Sequence, residues 1–426
     1  MEYLLFVVYL GFFAWLVTRT KFFLASGLSK PQLVILFLLK VIAGLFYGWI
    51  GIYYGQLAQM SDTWNYHYQS LEEFRILQEN PHEYFTNIFH NPYERGLLGF
   101  FSPENSYWND LKSNIFIKFI SIFDIFTGGY YYVNVIFYSF AVFLGPVALF
   151  RVMDELFPGR RITVTLGIFF IPSFFYWGSG LGKEGLIFLA ISLIIYAAYS
   201  ASVNKQNRGQ QLVFFISGLL LLLVLRNFVL MLILPALLAW FLANRYPGRV
   251  LRIYSLVYLA VILIFFTAKY ISPHFDFPLA VVERQSAFNA LTGQSSVPRA
   301  AMDPGFTAFL RHTPQALALS VTRPYPSDIS HLLTLAAAVE IGLLLLMVVT
   351  SQVFRLPAGG GSRATVFFFF FFSVSLLLAI GFSVNNLGAI VRYRSIIMPL
   401  VLTPLLARTD WNRIARIAGG LIPGTR

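Results

Sequence analysis

Residues 162–201 read ITVTLGIFFIPSFFYWGSGLGKEGLIFLAISLIIYAAYSA. Two uncharged apolar runs, 162–178 and 185–201, flank a short connection that holds the only charges of the stretch, Lys183 and Glu184. A membrane-crossing helix needs about 20 apolar residues, with roughly 17 tolerated. Each run therefore reads as a span and the connection as a tight turn at one membrane face. Further runs bounded by polar or basic breaks lie at 3–18, 33–57, 130–150, 211–225, 228–243, 253–270, 331–350, 365–382 and 395–407, which makes eleven spans. The expected fold is all-α, a polytopic helical membrane protein forming one membrane-embedded domain over residues 1–426.

Composition agrees. The chain is 57% hydrophobic and 12% charged, against roughly a quarter charged in a soluble domain. The net charge of +12 does not point to nucleic acid, because the surplus falls in short Lys/Arg clusters between apolar runs, where orientation signals lie. Without cysteine there is no disulfide framework, thiolate metal site or cysteine nucleophile.

The basic clusters fix an orientation. One set of loops holds Arg19, Lys21, Lys30, Arg151, Arg160, Arg161, Lys205, Arg208, Arg245, Arg249, Arg252, Arg355, Arg363, Arg408, Arg413, Arg416 and Arg426, against Asp154, Glu155 and Asp410. That face reads as cytoplasmic. The chain opens Met-Glu-Tyr, without a basic n-region, and is expected to begin with a retained span whose N-terminus lies outside. The C-terminus is then cytoplasmic. The opposite face carries two long segments, 58–129 and 271–330, with mixed charge. The first is rich in aromatics, among them Tyr84, Phe85, Tyr93, Phe100, Phe101, Tyr107 and Trp108, and is expected to form amphipathic helices on the bilayer or over a cavity. Residues 115–126 read as interfacial, the Gly-rich residues 357–362 as a cytoplasmic turn, and the phenylalanines at 367–372 as lipid-facing bulk.

Five constellations on the outer face bear chemistry. Asp62, in Ser-Asp-Thr-Trp-Asn-Tyr-His at 61–67, is the first acid outside the second span; it suits a general base toward an acceptor hydroxyl, with Trp64 and Tyr66 as a sugar-binding wall, or else a helix N-cap. Residues 170–185 gather Trp177, five small residues, Lys183 and Glu184. There Lys183 and a helix N-terminus can meet an anion, or the stretch is a hairpin with an ordinary ion pair. Arg226 divides two apolar runs and either serves a wet cavity or snorkels to the interface. Arg323, in Arg-Pro-Tyr-Pro at 323–326, follows an amphipathic helix and is presented by stiff prolines. Arg392 and Arg394, at i and i+2, cannot share one helical face; they suit forked recognition of phosphate oxygens, or interface anchoring. His312 and His331 read as structural or solvated. Lys40 and Glu340 lie within spans, as relays, as partners of each other, or, for Lys40, as a snorkelling side chain.

The Pro-Ser-x4-Trp-x-Ser-Gly-x2-Lys-Glu-Gly pattern at 172–185, Arg-Pro-Tyr-Pro at 323–326 and Asn-x-Gly-x3-Arg-Tyr-Arg at 386–394 resemble bacterial membrane proteins of surface-polysaccharide assembly, of the Wzy- or EpsG-like polymerase and GT-C-type glycosyltransferase kinds. The resemblance implies a protein of the bacterial inner membrane acting on a polyprenyl diphosphate-linked glycan. In GT-C enzymes the catalytic acid lies in the first outer loop, often in an acidic pair; Asp62 follows the second span and has no acidic neighbour, which leaves a divalent metal without support. In Wzy-like polymerases outer arginines carry the anionic substrate, and Arg323, Arg392 and Arg394 match that pattern.

Together these readings give one catalytic candidate, Asp62, and a substrate-binding set of Lys183, Glu184, Arg226, Arg323, Arg392, Arg394, Trp64, Tyr66 and Trp177. No cofactor is expected. The function expected is transfer or polymerisation of lipid diphosphate-linked sugars at the extracytoplasmic face, where preorganised cations stabilise the departing diphosphate. A lipid-linked glycan flippase or other transporter is the alternative, and a ligase using His312 is a third reading.

Overall fold

The computed structural model describes residues 1–53, 58–91, 107–203, 207–291, 295–356 and 362–421. Among these residues the regular elements are all helical, and extended pairing is confined to two isolated bridges, Ser296 with Asn386 and Arg355 with Thr409. Among the described residues eight helices are long and apolar enough to cross a membrane: Lys30–Tyr53, Tyr131–Leu156, Lys183–Val203, Arg208–Leu225, Asn227–Arg245, the stretch Pro247–Tyr270, Leu332–Val353 and Arg363–Ser383. Leu387–Ser395 and Met398–Ala407, bent by 61° at their junction, add a ninth crossing if taken together. This is a helical, multi-pass membrane architecture.

Three of the eleven expected spans take another form: the one expected at 395–407 is the ten-residue helix Met398–Ala407 of that bent pair, and two others depart as follows. The first is the apolar helix Glu2–Val17, of 16 residues. The second, expected at 162–178, is broken into Arg161–Phe169 and Pro172–Trp177. Proline has no N–H to continue the ladder and disfavours helical geometry in the residue before it. Ile171 accordingly adopts an extended conformation, φ −73° and ψ 118°.

The break is stabilised by the two charges buried within spans. Glu340 Oε1, from Leu332–Val353, accepts from the Ser173 N–H at 3.1 Å, satisfying a donor at the start of Pro172–Trp177. Lys40 Nζ, from Lys30–Tyr53, donates to the Gly178 carbonyl at 2.7 Å and to Ser179 Oγ at 3.3 Å, at the other end of that helix. Each charge complements the helix dipole at its own terminus. Glu340 and Lys40 thus meet opposite ends of one short helix, and neither snorkels: both are buried.

The long segment at 58–129 contains Ala58–Glu79, Pro81–Thr86 and Tyr107–Thr127, so the interfacial stretch 115–126 belongs to a longer helix. Its buried Asp124 accepts from Ser70 Oγ at 2.8 Å and Asn134 Nδ2 at 2.6 Å, which ties Tyr107–Thr127 to Ala58–Glu79 and to Tyr131–Leu156; burial raises the Asp124 pKa. The segment at 271–330 contains Phe277–Ala290 and Phe306–Val321. Phe306–Val321 lies along Arg363–Ser383, where the lack of a Cβ at Gly381 admits the Ala316 carbonyl. Tyr93, Phe100, Phe101 and the Gly-rich residues 357–361 lie outside the described residues. Of the phenylalanines at 367–372, Phe368, Phe369 and Phe372 are buried and Phe370 is exposed, so only part of that run faces outward.

Candidate functional site

Helix ends converge at the bundle end opposite the basic loops. Gly178 to Gly182 lead from Pro172–Trp177 into Lys183–Val203, and this turn is held against Lys30–Tyr53 by close backbone approach. A Cβ on Gly44 would stand 2.6 Å from the Ser179 carbonyl oxygen, and one on Gly180 would overlap the Tyr47 ring. The Tyr138 hydroxyl donates to the Gly182 carbonyl. Together with Lys40, these contacts fix where Lys183 and Glu184 enter the next helix.

Glu184 is the centre of the charge cluster. Its Oε1 accepts from Arg392 Nε at 2.7 Å and from Arg226 at 2.9 Å. Arg392 reaches on with Nη1 to Asp62 Oδ2, also at 2.7 Å. Exposure differs sharply along the chain of charges: the Glu184 side chain is 2% exposed, Arg392 9%, Arg226 12% and Asp62 42%. Asp62 is therefore the carboxylate that a ligand can reach. It is not a helix cap, since its helix begins at Ala58; Asp62 projects from within the helix toward Arg392.

Arg226 is the single residue between Arg208–Leu225 and Asn227–Arg245, with φ −152° and ψ 79°. Its guanidinium lies 4.0 Å from the Tyr393 ring centroid, a cation–π contact that adds to the ion pair. Lys183 Nζ donates to Ser113 Oγ at 3.1 Å and stands 5.3 Å from the Tyr66 ring centroid. Burial, with the Asp62 carboxylate nearby, pushes the Tyr66 phenol up to about 12. Arg392 also stands 5.6 Å from the Trp177 ring centroid. Trp64 donates through Nε1 to the Gly48 carbonyl at 2.9 Å and stacks on Tyr131 at 3.9 Å. It braces the Asp62 helix more than it offers a free face.

Arg392 and Arg394 point apart, as their spacing requires. Asn386 caps their helix, accepting from Ala389 N at 3.0 Å. Residues 295–297 back the turn through the Leu387 N–H to Ser295 carbonyl bond at 3.0 Å and the Val297 N–H to Asn385 carbonyl bond at 2.9 Å. Arg394, 1% exposed, donates to the carbonyls of Ser320 and Arg323 at 3.2 and 2.6 Å, which places a cation at the end of Phe306–Val321 where carbonyls lack partners. Arg323 pairs with Asp328 at 3.1 Å. Arg323 and Arg394 thus form a separate junction, apart from the Asp62 cluster. His312 is half-buried and 3.4 Å from Gln315 Oε1, and His331 begins Leu332–Val353; neither joins the cluster.

Two cations that the sequence reading passed over do approach it. Lys112, on Tyr107–Thr127, and Arg284, on Phe277–Ala290, lie within Coulombic range of each other and of Arg226. Burial and these neighbours push the Lys112 ammonium down to about 8. In sequence both sit in mixed-charge segments, where only their distance from the cytoplasmic clusters distinguishes them. No family model, curated protein or solved structure matches the chain.

Proposed function

We propose that this protein is a membrane glycosyltransferase or polysaccharide polymerase that uses polyprenyl diphosphate-linked sugars at the extracytoplasmic face of a bacterial inner membrane. The observation that carries the reading is the chain Asp62–Arg392–Glu184–Arg226, in which a half-buried carboxylate is the accessible end of an otherwise buried cluster of charges. An ordinary interfacial ion pair does not need four charges from three helices and an interhelical turn, three of them desolvated.

In the proposed reaction the acceptor hydroxyl oxygen attacks the anomeric carbon of the donor sugar. The bond from that carbon to the diphosphate oxygen breaks, its electron pair leaving with the diphosphate, and Asp62 takes the hydroxyl proton. Fixed cations meet the charge that develops on the leaving group. An apolar core packs beside the cluster: Tyr47 and Ile50 of Lys30–Tyr53 and Leu333 and Ala337 of Leu332–Val353 meet around Tyr176 and Trp177.

The reading is tested by the lipid-linked glycan that accumulates in cells lacking the protein. Single repeat units indicate a polymerase and a truncated unit a transferase. A complete, unpolymerised unit confined to the cytoplasmic leaflet indicates a flippase and refutes glycosyl transfer.

A further inference from the structure

The end of the bundle away from Asp62 carries an amphipathic helix whose apolar edge is left partly uncovered. Beyond Met398–Ala407 the chain pairs with the end of Leu332–Val353 through the bridge of Arg355 with Thr409. There the Leu356 N–H donates to the Arg408 carbonyl and the Asp410 N–H to the Phe354 carbonyl, both at 2.8 Å. The chain then enters the helix Trp411–Leu421. Asp410 Oδ1 accepts from the Arg413 N–H at 3.0 Å and caps that helix, and Trp411 Nε1 donates to the Leu406 carbonyl at 3.0 Å. The helix start is thereby fixed at the level where two apolar helices end. Trp411, Ile414 and Ile417 recur at helical spacing along one edge. Ile417 is exposed, as are Val349 and Val353 on the last turns of Leu332–Val353. Arg413 and Arg416 stand on the other edge and are exposed.

We propose that Trp411–Leu421 lies in the bilayer interface and that Arg355, Arg408, Arg413 and Arg416 bind the phosphate headgroups of anionic phospholipids in the adjoining leaflet. Among the described residues none of the four has a carboxylate within ion-pair distance, whereas Arg161 at the same end stands 3.9 Å from Asp154. Asp410 is the one acid between Ile341 and Leu421, and it is committed to the cap. Arg413 lies 5.5 Å from the Phe354 ring centroid and Arg408 5.6 Å from that of Phe157. Arg416 meets the Asn412 carbonyl of its own helix at 3.4 Å. These contacts orient the guanidiniums without neutralising them. An orientation signal needs only charge in a loop. A helix with an apolar edge, a tryptophan at its start and arginines opposite has the form that seats at the headgroup level. That apolar edge lies at the same end as the exposed apolar surface of Leu332–Val353, and the planar fork of arginine suits phosphate oxygens. The surface is independent of the function proposed above.

The chain has no cysteine, so Ile417→Cys provides a single thiol for a fluorophore on the full-length protein. The label is read in nanodiscs of phosphatidylcholine and in nanodiscs of an equimolar mixture of phosphatidylcholine and phosphatidylglycerol, with acyl-chain nitroxide lipid and aqueous iodide as quenchers. Lipid quenching should be stronger in the mixed discs. Adding Arg413→Gln and Arg416→Gln together should remove most of that difference, since each arginine near an anionic surface contributes about a fivefold preference. Salt at about 1 M, where the screening length falls to about 3 Å, should remove it as well. Equal lipid quenching in the two kinds of disc, or a difference that the double variant keeps in full, overturns headgroup binding. Quenching by iodide alone shows a helix in water, and quenching by neither shows an edge covered by protein; each overturns the proposal. Should the double variant not fold, the salt dependence carries the test.

Discussion

Glu184 and Arg392, 208 positions apart in sequence, meet at 2.7 Å with both side chains almost wholly buried. Breaking a buried pair by removing one partner leaves an uncompensated charge and costs about 3–5 kcal/mol. Glu184 serves two arginines, so Glu184→Gln should lower stability by about 3 kcal/mol or more, read as thermal unfolding in detergent. Arg392→Lys should be milder for stability and more severe for activity, since an ammonium cannot reproduce the fork that joins Glu184 to Asp62. Equal activity in Arg392→Lys and wild type would contradict the positioning role.

Glu340 and Lys40 act on the broken helix from opposite ends. Glu340→Gln keeps an oxygen for the Ser173 N–H and should be nearly silent. Glu340→Leu leaves that donor buried without a partner and should cost about 1–3 kcal/mol. Thermal unfolding of the two variants side by side checks this; matching midpoints would mean that the capping bond contributes nothing.

His67, buried beside Trp64 and Tyr131, gives the fold a dependence on pH. Burial pushes its imidazole down from 6.5 to about 4. Between those values the unfolded chain binds a proton that the folded chain refuses. The contribution is thus fully present above pH 6.5 and lost as pH falls toward 4, by up to about 3 kcal/mol. His67→Phe, which keeps a ring against Tyr131, should flatten the slope of stability against pH in that window. An unchanged slope would exclude His67 as its source.

The turn at 178–182 depends on contact closer than a side chain allows. Gly44→Ala would set a methyl 2.6 Å from the Ser179 carbonyl oxygen and force the turn away from Lys30–Tyr53. Displacements near 1 Å cost catalysis about a hundredfold, so turnover should fall by that order while the purified protein stays folded by circular dichroism. Wild-type turnover would show that the turn does not set the geometry of Glu184.

The helical membrane architecture is legible in the sequence because about 20 uncharged apolar residues admit few other readings. The break at Phe170 and Ile171 is less legible: Pro172 signals it, but Glu340 and Lys40, which satisfy the exposed helix ends, are remote in sequence. Within the candidate site, Asp62, Lys183, Glu184, Arg226 and Arg392 stand out by residue type and by their place at the ends of apolar runs, and they do converge. Arg323 and Arg394 stand out by the same criteria, yet they serve the end of Phe306–Val321. Residue type alone does not separate an arginine that meets a carbonyl from one that meets a ligand. Lys112 and Arg284 are the converse, unremarkable in mixed-charge segments until the fold brings them to Arg226.

The most direct test of the proposed function is Asp62→Asn in the purified chain, assayed for both polyprenyl diphosphate-sugar binding and glycosidic bond formation. The substitution keeps the shape and removes the base, so donor binding should stay within about threefold of wild type, well under the roughly 1.4 kcal/mol of a tenfold change. Product formation should fall by a factor of about 100 or more. Undiminished product formation would contradict the assignment of Asp62 as the base.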